Sequence, residues 1–166
     1  MIFVTVGTHE QPFDRLIEHI DSLVKNNIIV EEVIMQSGYS KYEPQFCKWK
    51  KWFSYSEMIE LVSKANIVIT HGGPSSFIMP LQVGKIPIVV PRQLKYHEHV
   101  NNHQVEFSKA VAERQRNIIV VEEMEKMEYY IRNYNSIIKE MTFENESNNL
   151  NFNKKLENIV SELFRK

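Results

Sequence analysis

With 166 residues, 43% of them hydrophobic, the chain has material for one core and predicts a single domain. A formal net charge of −1 leaves no electrostatic footprint for nucleic acid. The lone Cys47 excludes an internal disulfide, the opening residues lack a basic leader, and no apolar run nears the ~20 residues that cross a bilayer, so a soluble cytoplasmic protein is expected.

In chain order, Ile2 to Val6 reads as a first strand ending at Gly7-Thr8-His9-Glu10-Gln11. Pro12 suits a first helical turn, and Phe13, Leu16, Ile17, Ile20, Leu23 and Val24 recur at helical spacing. Glu32 to Gln36 is a second strand candidate, followed by a polar loop from Ser37 to Pro44 and a weaker strand over Trp49 to Phe53. Met58, Ile59, Leu61 and Val62 predict a short helix. The apolar run Ile67 to Ile69 is a buried strand that stops at Thr70-His71-Gly72-Gly73, where paired glycines permit a sharp turn and a close backbone approach. Ile86 to Val90, closed by Pro91, follows at the spacing of a strand–helix–strand unit. A helix over Val105 to Glu113, a strand over Ile118 to Val121, and a helix marked by Met124, Met127, Ile131, Tyr134 and Ile138 complete the alternation.

That alternation predicts an α/β fold: a Rossmann-like parallel sheet with crossover helices on both faces. The expected organisation is one domain over 1–141, a polar linker over 142–149, and an amphipathic helix over 150–166. The apolar stripe of that helix (Phe152, Leu156, Ile159, Val160, Leu163) would pack on the domain's own sheet or against a partner.

Several chemistries lack their residues. No GxGxxG follows the first strand, Gly84-Lys85-Ile86 lacks the P-loop spacing, and there is no GxSxG. The only aspartates, Asp14 and Asp21, share one predicted helix, so a paired-aspartate metal site cannot be assembled. His97, His99 and His103 have a spacing that could serve zinc, cap a helix start, or recognise a ligand. The turn His71-Gly72-Gly73-Pro74-Ser75-Ser76 lies between a buried strand and a helix, where backbone N–H groups and the macrodipole hold phosphate without a metal. Pro80 predicts a late or kinked start to that helix.

The stretch ITHGGPSSFIMPLQVGKIPIVVPRQLKYHEHVNNHQVEF resembles the C-terminal, donor-binding half of MurG-like, two-domain GT-B glycosyltransferases. IFVTVGTHEQPFDRLI resembles the opening of a branch in which that half is a separate small chain. The branch includes the catalytic subunit of the eukaryotic two-part UDP-N-acetylglucosamine transferase and bacterial capsule and exopolysaccharide glycosyltransferases. The resemblance spans roughly Met1 to Tyr130 and is closest to the bacterial subset.

The resemblance implies a UDP-sugar as donor substrate and no cofactor or metal. Gly72, Gly73, Ser75 and Ser76 would face the diphosphate, and Gly7, Thr8 and His71 are further expected donor-binding residues. Asn102 and Gln104 match the pair that contacts the donor sugar, and Arg92, Glu98 and His99 would touch phosphate or sugar. Met79 stands where the family usually has a ribose-binding glutamate, with Glu98 as a candidate substitute. His9 is the candidate base, because it ends the first strand at the same sheet edge and an imidazole titrates near neutrality; Glu10 is a weaker candidate. The expected activity is inverting transfer to a polyprenyl-linked acceptor in surface polysaccharide assembly. A membrane-anchored, acceptor-binding partner would hold the chain at the inner face of the membrane. The alternative is a non-catalytic nucleotide-sugar-binding or enhancer subunit.

Overall fold

A computed structural model describes residues 1–141; the expected linker and terminal helix lie outside the described residues. The sheet has six parallel strands in the order β3-β2-β1-β4-β5-β6. These are β1 Ile2–Thr5, β2 Val33–Gln36, β3 Lys48–Lys50, β4 Ile67–His71, β5 Ile88–Val90 and β6 Ile119–Val120. The helices are α1 Asp14–Lys25, α2 Tyr55–Lys64, α3 Pro74–Gln82, α4 His103–Gln115, α5 Met127–Arg132 and α6 Tyr134–Glu140.

Both faces are covered, which is why β1, β4 and β5 are buried at every position and read as continuous apolar runs. The two-residue period of a strand sorts their side chains. Ile2, Val4, Ile69, Ile88 and Val90 pack with Leu16, Ile17 and Ile20 of α1 and with Met127 and Tyr134. On the opposite face Phe3 and Val68 meet Val62, while Val89 meets Phe77 and Phe107. The chain runs outward from β1 through β2 to β3, then returns to place β4 beside β1. β1 and β4 therefore flank the point where the strand order reverses, and their outgoing loops diverge at the carboxyl edge.

Three sequence expectations shift. The weak strand is Lys48–Lys50, paired with Ile34–Gln36, rather than Trp49 to Phe53. Trp52 and Phe53 instead run past the sheet into α2, whose start is fixed by a capping box: Ser54 N–H donates to the Glu57 carboxylate at 2.7 Å and Glu57 N–H to Ser54 Oγ at 3.3 Å. α3 begins without delay, because Pro74 occupies the first helical position, and it ends two residues beyond Pro80. The last predicted helix is broken into a 3₁₀ turn (Met124–Lys126), α5 and α6. At the α5–α6 break, Asn133 turns its side-chain amide onto Tyr129 O at 2.8 Å.

Two arginines lock the loops of the carboxyl edge. Arg92 is fully buried; its Nη1 donates to the carbonyls of Gln11 (2.7 Å), Pro12 (3.1 Å) and Glu98 (3.3 Å), and its Nη2 to that of Val6 (3.1 Å). Its guanidinium also lies over the Phe13 ring, 4.7 Å from the centroid. Arg15 grips Glu98 through two bonds, Nε to Oε1 at 2.7 Å and Nη2 to Oε2 at 2.9 Å, and reaches the carbonyls of Pro91 and Glu122. Gln93 N–H adds a further donor to Glu98 Oε2 at 3.0 Å. This corrects the expectation for Arg92 and Glu98: both Nη groups and both carboxylate oxygens are engaged within the frame, not presented to a ligand.

The Arg15–Glu98 pair is 16% and 5% exposed, so removing the carboxylate strands a largely buried cation. Glu98→Ala should cost about 3 kcal/mol. In urea unfolding it should appear as a lower midpoint at unchanged slope; an unchanged midpoint would show that the pair holds nothing.

Candidate functional site

The loops after β1 and β4 enclose a cleft of about 550 Å³ at the strand-order reversal. Thr5, Gly7, Thr8 and His9 line it from the first loop, Gln36 from the end of β2, and His71, Gly73, Ser75, Ser76 and Met79 from the β4–α3 segment. Phe53, Tyr55 and Met58 form the wall at α2, and Gln104 enters from α4. One end is therefore apolar and aromatic. The other is a glycine–serine turn at a helix N-terminus.

His71 sets the shape of the polar end. The residue is 7% exposed, and its ring sits between the two glycine turns. A Cβ on Gly7 would lie 2.2 Å from His71 Cε1, and one on Gly73 would lie 2.4 Å from His71 Nε2. Gly7 also adopts φ +72°, a left-handed conformation that costs glycine little. Burial, reinforced by the Arg92 charge, pushes the His71 pKa down to about 3. The ring is neutral at every physiological pH.

The predicted residues separate on this geometry. Gly7, Thr8, His9, His71, Gly73, Ser75, Ser76 and Gln104 all line the cleft. Gly72 does not: a Cβ there would sit 3.0 Å from Gln104 Cβ and Ser108 Oγ, so its missing side chain lets α4 close on β4. The expected Asn102–Gln104 pair also divides. Asn102 is exposed and accepts Leu94 N–H at 2.9 Å, whereas Gln104 is buried and its Oε1 accepts Arg92 N–H at 3.1 Å. Glu10 is exposed and lies outside the lining.

His9 is exposed on its loop, and its ring lies 5.2 Å from that of His99. Burial, the Arg92 charge and His99 hold its pKa below the usual value, against the pull of Glu10. Its Nδ1 accepts Gln11 N–H at 3.2 Å, which leaves the proton of the neutral ring on Nε2. His103 instead stacks on Phe107 at 6.0 Å, and among the described residues no three His, Cys, Asp or Glu side chains converge as a metal-ligand set.

Sequence reasoning missed Thr5, Gln36, Phe53, Tyr55 and Met58. Gln36 carried a signal: a buried polar residue closing an apolar strand. Its amide donates to Thr5 Oγ1 at 3.2 Å and accepts Phe53 N–H at 3.3 Å, tying three walls together. A larger hollow of about 770 Å³ lies beside Arg15, Tyr96 and Met124, but its central charges are already paired with each other.

A family model for the glycosyltransferase family 28 C-terminal domain matches residues 1–163. The chain belongs to this family. It is 34% identical over 117 residues to the human UDP-N-acetylglucosamine transferase subunit ALG13, a match covering 65% of this chain and 10% of that protein. Among solved structures, the glycotransferase of kitacinnamycin superposes with a TM-score of 0.58 at 12% identity, over 79% of this chain and 34% of that one. The chain thus spans about a tenth and about a third of these relatives. The structural match supports a Rossmann-like fold of the kind found in GT-B enzymes.

The neutral His71 has a consequence for stability. Below the usual histidine pKa of 6.5 the unfolded chain binds a proton that the folded ring refuses until about pH 3. Stability should therefore fall as pH drops from 6.5, at up to about 1.4 kcal/mol per pH unit. His19, also depressed first by burial, acts in the same direction. His71→Asn should flatten the slope of unfolding free energy between pH 6.5 and 4 without abolishing it. An identical slope in the variant would mean that His71 is not buried neutral.

Proposed function

We propose that this chain is the donor-binding half of a glycosyltransferase, transferring a sugar from a UDP-sugar to a lipid-linked acceptor in surface polysaccharide assembly. The observation that carries the reading is the division of the cleft into two ends. Phe53, Met58 and Met79 offer an apolar surface for a base, while Gly73, Ser75 and Ser76 offer backbone and hydroxyl donors for a diphosphate. Thr8 and Gln104 line the same cleft and are suited to the sugar. Family membership and the name of the human relative support the same class of donor.

Charge on the departing diphosphate is assigned to these donors, without a divalent metal, and the reaction to a single inverting displacement. Arg92, which the sequence suggested for phosphate contact, contributes here only as a buried charge. The cleft is open on one side, and the described residues form one Rossmann-like half. A second, membrane-anchored protein would cover it, present the acceptor and exclude water. No described helix is long and apolar enough to cross a membrane. Attachment at the inner face of the membrane is assigned to that partner.

Met79 favours a second reading. It puts a thioether in the wall where the family's ribose-binding carboxylate is expected, as a non-catalytic nucleotide-sugar-binding subunit could tolerate.

Titration with UDP separates these readings from none. Binding should persist in chelator, and UDP at a hundred times its dissociation constant should stabilise the fold by about 2.7 kcal/mol. Gly73→Val, which drives a side chain into His71, should weaken UDP at least tenfold. Binding that requires added magnesium or manganese would overturn the metal-free assignment, and unchanged affinity in the variant would remove the diphosphate from this turn. Activity tests the partner. The lone chain should be nearly inactive on lipid-linked acceptor and recover when membranes carrying the partner are restored; full activity alone would defeat the two-protein model.

A further inference from the structure

Hydrogen bonds fix the tautomers of His9, which lines the cleft, and of His99, whose ring packs against His9 from outside that lining, and they fix them differently. Gln11 N–H can only donate, so His9 Nδ1 holds a lone pair and Nε2 carries the proton. His99 is set through Asn101. His103 N–H donates to Asn101 Oδ1 at 3.0 Å, which identifies that atom as the amide oxygen. The same oxygen lies 3.1 Å from His99 Nδ1. An oxygen with no proton must be met by a donor, so His99 Nδ1 carries the proton and the Nε2 of the neutral ring is a free lone pair. The rings are 5.2 Å apart with an interplanar angle of 41°. They offer one free N–H and one free base side by side.

We infer that His99, oriented by Asn101, is the catalytic base of this half-site, and that His9 is a hydrogen-bond donor to the departing diphosphate. The inference rests on the donor-site reading above and reverses the expectation drawn from the sequence, where His9 was the base. The step balances as follows. The acceptor hydroxyl oxygen forms a bond to the anomeric carbon of the donor sugar and its proton passes to His99 Nε2. The bond from the anomeric carbon to the phosphate oxygen breaks, and its electron pair leaves with UDP, which accepts a hydrogen bond from His9 Nε2–H. A base held in its working tautomer by a third group is the arrangement that general-base catalysis requires. Arg92, His71 and Glu10 are the other charged or titratable groups around His9, and the bonds of Arg92 and the burial of His71 keep both out of this exchange.

Long-range ¹H–¹⁵N spectra of the histidine side chains read the tautomers directly in the intact chain, whatever it binds. At about pH 8, where imidazoles are neutral, His99 should appear as the Nδ1–H form and His9 as the Nε2–H form. Asn101→Ala should shift His99 toward Nε2–H, and Asn101→Asp should restore Nδ1–H. Turnover is then measured with radiolabelled UDP-hexoses and membranes carrying the partner. His99→Ala should lower kcat by roughly 10²–10⁴ with UDP affinity within twofold of wild type, whereas His9→Ala should weaken UDP. Exchanged tautomers, or a His99→Ala variant that turns over within threefold of wild type, would overturn the assignment. Failure of the wild type to bind UDP would instead sink the donor-site reading and leave the tautomers standing.

Discussion

The buried guanidinium of Arg92 is the constraint on which the site depends. An unpaired cation in an apolar interior is costly, so its donors must meet acceptors of fixed geometry. Here the two Nη groups meet carbonyls from both sides of the cleft frame, Val6, Gln11 and Pro12 on the first loop and Glu98 on the loop after β5, while Nε has no partner among the described residues. Burial lowers the Arg92 pKa to about 10 while Glu98 opposes the shift, so the group remains charged at neutral pH. Glu98 is in turn held by Arg15, and the two arginines lie on opposite ends of one loop-to-loop clamp. The loop that carries His9 is therefore a determined structure, though exposed.

The same cation shapes the electrostatics. It contributes to holding the imidazoles of His71 and His9 below their usual pKa values. A positive charge thus lies beneath the cleft with neutral rings above it. An anionic ligand would feel the charge through the site wall and make its contacts with backbone and hydroxyl donors, which are fixed before it arrives. Gly7 and Gly73 belong to this arrangement from the protein side. Each must lack a side chain for His71 to fit between the turns.

Much of this was legible in the sequence because it follows from periodicity. β1, β4 and β5 announce themselves as apolar runs, and the alternation with helices gives the parallel sheet and its loaded carboxyl edge. The HGGPSS turn was readable for the same reason: few residue types allow a sharp exit from a buried strand into a helix. What failed to show were effects of distance in the chain. Arg92 looks like a loop arginine until its reach across 80 residues to Pro12 O and 81 to Gln11 O is seen. Glu98 pairs with Arg15 across 83 residues, and Gln36, Phe53 and Met58 join the site only because β2 ends and α2 begins beside β1. The tautomer of His9 depends on a single backbone N–H two residues away, which no pattern encodes.

Methionine methyl groups give the most direct test of the central claim, that a nucleotide sugar occupies the cleft between the β1 and β4 loops with its base against α2 and α3. Met58 and Met79 line that cleft, whereas Met124 lines the larger hollow beside Arg15 and Met127 is fully buried in the core. With the methionine methyls labelled with ¹³C, titration with UDP should move the Met58 and Met79 signals together, with one dissociation constant, and leave Met124 and Met127 in place. Movement confined to Met124, or none at Met58 and Met79 at saturating UDP, would contradict the account.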